Sequence, residues 1–159
     1  MGRGVGRHVS EVTSGRGGYE RARSLGSAPM QIRDAVVVVT GAASGIGEAM
    51  VERFAAEGAR ALVAADRDAP GVAVLAERVS AGGTPCEAVT CDVAEESSVK
   101  SLVDGTVERH GRIDLVVSNA GYVTVGGLEA PDAELHRMFG VHVMAHLYAA
   151  RHAIPHMVA

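Results

Sequence analysis

The sequence predicts an α/β fold built on a doubly wound parallel sheet, and three features predict it. The first is Val36-Val37-Val38-Val39, which runs into Thr40-Gly41-Ala42-Ala43-Ser44-Gly45-Ile46-Gly47 and then into a helical pattern. Four β-branched residues without polar alternation specify a strand buried on both faces, as parallel strands are when helices cover the sheet. The second is alternation: from Met30 onward, four strand-like runs are each succeeded by a helix-like stretch. Short connections of that kind make right-handed β-α-β crossovers. The third is position. Thr40 to Gly47, Asp66, Asp92 and Asn119 to Gly121 all stand at strand ends. A parallel sheet gathers such segments along one edge, where ligands of these folds bind.

Taken in order, the first strand spans about Ala35 to Thr40. The helix after the glycine turn runs from about Gly45 to Glu57, with Ile46, Met50 and Phe54 at four-residue spacing on one face and Gly58 as its stop. The second strand is Arg60 to Ala65 and ends in Asp66. The second helix starts at Pro70, a good first-turn residue, and runs to about Ala81 with Val74, Leu75 and Val79 turned inward; Gly82-Gly83 breaks it. The third strand is Cys86 to Thr90, with Cys91-Asp92-Val93 after it. The third helix runs from about Glu95 to His110, with Val99, Leu102, Val103 and Val107 as its apolar stripe. Acidic residues at its start and Arg109-His110 at its end suit the helix dipole. The fourth strand is Ile113 to Ser118 and leads into Asn119-Ala120-Gly121. A last, long helix starts at Pro131 and runs toward His152 or beyond, with Pro155 disturbing its final turn.

The glycine turn reads as a phosphate site. Gly41 takes a backbone angle closed to other residues, Gly45 lets a ligand approach the main chain, and Gly47 lets the helix pack closely on the strand. The helix start offers free N–H groups and a positive dipole end. A glycine-rich turn alone is weak evidence for this, but Asp66 stands near the twenty-residue offset at which an acidic side chain reaches an adenosine ribose. Its carboxylate would accept from the ribose hydroxyls and repel a 2′-phosphate; an ordinary solvated turn aspartate is the plainer alternative. Asp92 either meets the adenine edge or caps the third helix.

Thr40-Gly41-Ala42-Ala43-Ser44-Gly45-Ile46-Gly47 together with Ser118-Asn119-Ala120-Gly121 resembles the short-chain dehydrogenase/reductase family, and Cys91-Asp92-Val93 is similar to its adenine-contacting Asp-Val. The spacing Gly-x-x-x-Gly-x-Gly is that family's own. The resemblance covers about Met30 to the chain end and implies a Rossmann-like doubly wound sheet, incomplete at about four strands and four helices. It implies that Gly41, Ser44, Gly45, Ile46, Gly47, Asp66, Asp92, Val93, Asn119, Ala120 and Gly121 bind the cofactor. Asp66 implies NAD(H) rather than NADP(H), although Arg67 comes next to it.

The family carries its chemistry later, in a serine and a Tyr-x-x-x-Lys pair that act on an alcohol or carbonyl. Tyr19, Tyr122 and Tyr148 are none of them followed four residues later by lysine, and Lys100 is the only lysine. The chain is therefore expected to be the amino-terminal part of an NAD-dependent oxidoreductase, without catalysis by itself. The alternative is a non-catalytic nucleotide-binding or dimerising module, or a dead gene remnant. His142 stands where the family has an asparagine that holds a relay water. A histidine there can bond a water or a main-chain carbonyl, or be a substitution tolerated without a relay. His142 and His146 share a helix face, but no cysteine or carboxylate joins them at a ligand-like spacing, and no metal is expected.

The bulk numbers bound the rest. With 159 residues, 47% of them hydrophobic, and a net charge of −4, the chain holds one domain and lacks the basic surface of a nucleic-acid binder. No apolar run reaches the roughly 20 residues that span a bilayer. Cys86 and Cys91 are expected on opposite faces of a strand, roughly 16 Å apart, which fits a reducing, cytoplasmic setting. Residues 1–29 form a Gly/Arg-rich arm expected to be disordered, read as a targeting segment, a basic arm or a leader upstream of a true start at Met30. A fourth strand without a further neighbour leaves Leu115-Val116-Val117 on an open edge, so self-association is expected.

Overall fold

A computed structural model describes residues 30–158. The leading arm, with the disorder expected of it, lies outside the described residues. β1 (Val36–Thr40), β2 (Ala61–Asp66), β3 (Cys86–Thr90) and β4 (Leu115–Val117) form one parallel sheet in the order β3-β2-β1-β4. The helices are α1 (Gly45–Ala56), α2 (Ala69–Ala81), α3 (Glu96–His110), α4 (Asp132–Phe139) and α5 (Ala145–Met157). The predicted doubly wound α/β architecture is the observed one.

Val36 through Val39 have no exposed surface. Burying a valine side chain stabilises by about 1.5–3 kcal/mol, so this strand anchors the core. Its side chains alternate between two apolar clusters. Val37 and Val39 join Val51 of α1 and Val72, Leu75 and Val79 of α2. Val38 joins Val99, Leu102 and Val103 of α3 and Ala145 and Ala149 of α5. Helices thus cover both faces, as a buried parallel sheet requires. Cys86 and Cys91 are free thiols that lie in these opposite clusters. The chain fills the positions beside β1 on the β2 side first and then crosses to place β4 on the other side. A crevice therefore opens beyond the carboxyl ends of β1 and β4, where the helices part.

Several element details differ from the sequence reading. On α1, Gly47 and Val51 are the buried residues, whereas Ile46 is 70% exposed and faces out at the turn. On α2, Val74 is 61% exposed, and Val72 and Ala76 take the inward positions beside Leu75 and Val79. That helix starts one residue before Pro70, because the Asp68 side chain accepts from the Gly71 N–H at 3.2 Å and caps it. β4 pairs over three residues rather than six.

The last predicted helix is not continuous. Gly140–Met144 forms a π-helical stretch between α4 and α5. The extra residue in that turn rotates the phase of α5 relative to α4. The face shared by His142 and His146 is exposed and is not the packed one. Instead Val141, Ala145, Ala149 and Ala153 are buried toward α3, and Leu135 and Phe139 are about half exposed. Pro155 sits inside α5, which continues to Met157.

Candidate functional site

The glycine turn between β1 and α1 has the stereochemistry its sequence requires. Gly41 has φ +68°, and a Cβ there would lie 2.7 Å from the Ala120 Cα. Gly45 has φ +59° and open space where its Cβ would be. A side chain at Gly47 would come within 2.0 Å of the Gly41 carbonyl oxygen, so α1 rests directly on the turn. Ser44 precedes α1 in extended conformation and makes no side-chain capping bond. The first-turn N–H groups are left open toward the crevice, with the positive end of the helix dipole behind them.

A second set of bonds joins the turn to the segment after β4. The Thr40 hydroxyl accepts from the N–H groups of Asn119 and Ala120 at 3.1 and 3.2 Å. The Asn119 side-chain amide donates to the carbonyl oxygens of Thr40 at 3.0 Å and Gly41 at 3.3 Å. Asn119 therefore works inward and fixes two strand ends together, and Ala120 and Gly121 form the wall opposite the turn.

Asp66 closes the same turn from the β2 side. One carboxylate oxygen accepts from the Ala43 N–H and the other from the Asp68 N–H, both at 3.0 Å. It is a fixed anion rather than a free turn aspartate. Asp92 is held differently from the expected helix cap. The residue at the N-cap of α3 is Glu95, and the Asp92 carboxylate instead accepts from the Ala94 N–H at 3.1 Å and from Arg137 Nη2 at 2.9 Å. Partial burial pulls its pKa upward, but the hydrogen bonds from Arg137 and Ala94 and the charges of Arg137 and Arg67 pull it down further. The carboxyl titrates below its ordinary value.

These groups line one continuous cleft along the carboxyl edge of the sheet. Its outer part takes in about 850 Å³ of solvent-open space between Ser44, Gly45 and Ile46 on one side and Asn119, Ala120 and Gly121 on the other. Its inner part, about 430 Å³ with the open solvent at its mouth included, is lined by Cys91, Asp92, Val93, Tyr122 and Arg137. Gly41, Asp66, Arg67, Ala120 and Gly121 border both. Of the predicted site residues, only Gly47 borders neither part, because it is buried beneath the turn.

His142 does not line the cleft but packs behind its wall, where a Cβ at Gly121 would lie 3.0 Å from the His142 ring. It is exposed in the π-helical stretch, beside Val123, Leu135 and Met138. Its Nε2 is 2.7 Å from the Tyr122 carbonyl oxygen, as expected of a histidine that bonds main chain, and 3.3 Å from the Tyr122 N–H. His146 Nδ1 meets the Ser118 hydroxyl at 2.7 Å and His152 Nε2 meets Glu96 at 3.1 Å, so His142 and His146 reach the segment after β4 while His152 reaches α3. Among the described residues no group of three or more His, Cys, Asp or Glu is placed to hold a metal.

Sequence reasoning missed Tyr122 and Arg137. The Tyr122 ring lies 6.0 Å from the Arg67 guanidinium at the cleft wall. Arg137 stands 45 residues from its partner Asp92, and nothing in the spacing connects them.

A profile for short chain dehydrogenases matches residues 35–159. (+)-Borneol dehydrogenase 1 of Salvia officinalis is 40% identical over 121 residues, which are 74% of this chain and 45% of that protein. A crystal structure of a short chain dehydrogenase/reductase from Burkholderia phymatum in complex with NAD matches with a TM-score of 0.78 at 33% identity, over 82% of this chain and 46% of that one. A metagenomic short-chain oxidoreductase in complex with NADP matches with a TM-score of 0.74 at 31% identity, over 79% of this chain and 57% of that one. The chain spans about half the length of the curated relatives it matches.

Proposed function

This chain belongs to the short-chain dehydrogenase/reductase family, and we propose that it is the nucleotide-binding part of an NAD-dependent oxidoreductase acting on a small alcohol or carbonyl. One observation carries the proposal. The open first turn of α1, the fixed Asp66 anion and the Asp92 carboxylate lie in that order along one cleft. That order suits a pyrophosphate, a ribose and an adenine. Gly41, Ser44, Gly45 and Ile46 take the pyrophosphate, with Gly47 allowing α1 to approach. Asp66 takes the adenosine ribose, Asp92 and Val93 the adenine, and Asn119, Ala120 and Gly121 form the opposite wall. Bound there, nicotinamide supplies the hydride chemistry.

NAD(H) is favoured over NADP(H) because the Asp66 carboxylate is anchored by two N–H groups and cannot swing away from a 2′-phosphate. Arg67 opposes this, but its guanidinium lies over Tyr122. Titration of the full chain with NADH and NADPH, monitored by nicotinamide fluorescence, tests the assignment. NADH is expected to bind at least about tenfold more tightly, the scale of one charge-assisted bond kept or lost; tighter NADPH binding would overturn it.

The sequence holds no Tyr-x-x-x-Lys pair, so the 159-residue chain is expected to transfer no hydride by itself. Turnover of any carbonyl by the purified chain would refute this. A second reading, a non-catalytic nucleotide-binding or dimerising module, draws on Leu135, Phe139, Val143 and Leu147, which recur every four residues and are each about half exposed. Self-association of the chain belongs to either reading. Among the described residues no helix is long and apolar enough to cross a membrane. We place the protein in the cytoplasm, on its two free thiols, and assign it no nucleic-acid partner, on its acidic balance.

A further inference from the structure

We propose that Arg137 is a positioning residue for purine recognition, holding the Asp92 carboxylate as the fixed acceptor for an adenine amino group at the inner end of the cleft. The proposal rests on the nucleotide reading and extends it to a residue on α4 that the glycine turn and strand ends do not reveal.

The geometry is a clamp from two sides. Asp92 Oδ1 accepts from the Ala94 N–H at 3.1 Å, which fixes one oxygen to the loop after β3. Oδ2 accepts from Arg137 Nη2 at 2.9 Å, which fixes the other to α4. A carboxylate offers about four acceptor positions, so two bonds leave others free. With both oxygens tethered the group cannot turn, and its free lone pairs keep one direction.

The location argues for a binding role over a stabilising one. Both side chains of the pair are 34% exposed. An ion pair that wet contributes about 0–1 kcal/mol to folding. Yet Asp92 and Arg137 both line the inner cleft, where a bound base would exclude water and strengthen the bond. Arg137 holds the Asp92 pKa below its ordinary value, and an ionised carboxylate accepts from an amino group but has no proton to donate to a carbonyl. The site therefore selects a base bearing an amino group over one bearing an oxygen at the same place.

The test compares NADH with its hypoxanthine analogue, which carries a carbonyl where adenine carries the amino group. Both are titrated against the full chain by nicotinamide fluorescence. The unsubstituted chain is expected to favour the adenine form by about tenfold, the scale of one bond to a charged group. Arg137→Gln should reduce that preference to about twofold, mainly by weakening the adenine form, with the far-ultraviolet circular dichroism unchanged. Arg137→Lys keeps the charge but offers a single point donor and should fall between them. A merely structural role would weaken both nucleotides equally and leave their ratio alone. If Arg137→Gln does not fold, Arg137→Lys decides: a reduced ratio supports the proposal and an unchanged ratio overturns it. Binding of NADH with an unchanged ratio in a folded Arg137→Gln chain overturns this proposal alone. No binding of either nucleotide by the unsubstituted chain overturns the nucleotide reading and this proposal with it.

Discussion

Gly47 has the least freedom to change. A Cβ there would sit 2.0 Å from the Gly41 carbonyl oxygen, a backbone atom with nowhere to move while Asn119 also donates to it. Gly47→Ala is expected to cost about 2–4 kcal/mol, read as a lower urea midpoint at unchanged slope. Gly45 faces open space, but its φ of +59° strains any side chain, so Gly45→Ala is expected to cost less, about 1 kcal/mol. Asp92 and Asp114 give a pH signature. Each is pulled upward by partial burial and further downward by its arginine, Arg137 or Arg112, and by a main-chain N–H, so each titrates below its ordinary value. A depressed folded pKa means the unfolded chain binds more protons. The stability these groups contribute is present above the unfolded pKa of about 4 and is lost as pH falls through the folded value. The urea midpoint should therefore drop on acidification below about pH 4, and Asp92→Asn should lose part of that drop. A variant curve parallel to the parent's would count against the pairing. The glycine roles were legible in the sequence because they depend on local backbone angles. The Asp92 partnership was not, because a helix-capping carboxylate and an ion-paired one look alike until the partner is in place.

The helices differ in how plainly their sequences announce them. The stripe on α3, Val99, Leu102 and Val103, is buried as its 3.6-residue period predicts. Leu102→Ala should destabilise by about 2–5 kcal/mol in the same denaturation assay. The stretch from α4 to α5 misleads because its period is not constant. The π-helical turn at Gly140–Met144 inserts one residue into the phase, and the packed face moves to Val141, Ala145, Ala149 and Ala153. Ala145 is 3% exposed against α3, so Ala145→Leu overpacks and is expected to cost about 1–3 kcal/mol. Val143 is 47% exposed, and Val143→Leu should change stability by less than about 0.5 kcal/mol. The opposite ranking would mean that the helix keeps its regular phase in solution. Val74 shows the milder form of the same difficulty. Valines at 72, 74 and 79 fit two neighbouring phases, and only the packing of α2 on β2 selects one.

At the scale of the described molecule, helices lie on both faces of the sheet, and β3 and β4 form its two edges. β1 is enclosed by β2 and β4, while β4, with half-buried Leu115, Val116 and Val117, ends the sheet among the described residues. The exposed row Leu135, Phe139, Val143 and Leu147 runs along the last helices. Open strand edges and apolar rows of this kind invite pairing with another chain. Sedimentation velocity is expected to show a concentration-dependent shift to larger species. Phe139→Glu with Leu147→Glu should reduce it while the circular dichroism stays constant. A single monomeric boundary at all concentrations would defeat the expectation.

Much of what depends on one residue and its near neighbours was already written in the amino-acid order. β-Branched runs set the strands, helical periods set most buried stripes, and glycines at fixed offsets set the turn. Alternation of the two element types then placed Gly41, Asp66, Asp92 and Asn119 on a common edge. Which partner each polar side chain takes was settled only by the packed fold. It turned Asn119 inward, anchored Asp66 to the turn, and brought Arg137 to Asp92 across 45 residues of chain. The physical reason is range. Backbone angles and periods are encoded within a few residues, whereas a hydrogen-bond partner is chosen by distances that exist only after the sheet and its helix layers have packed.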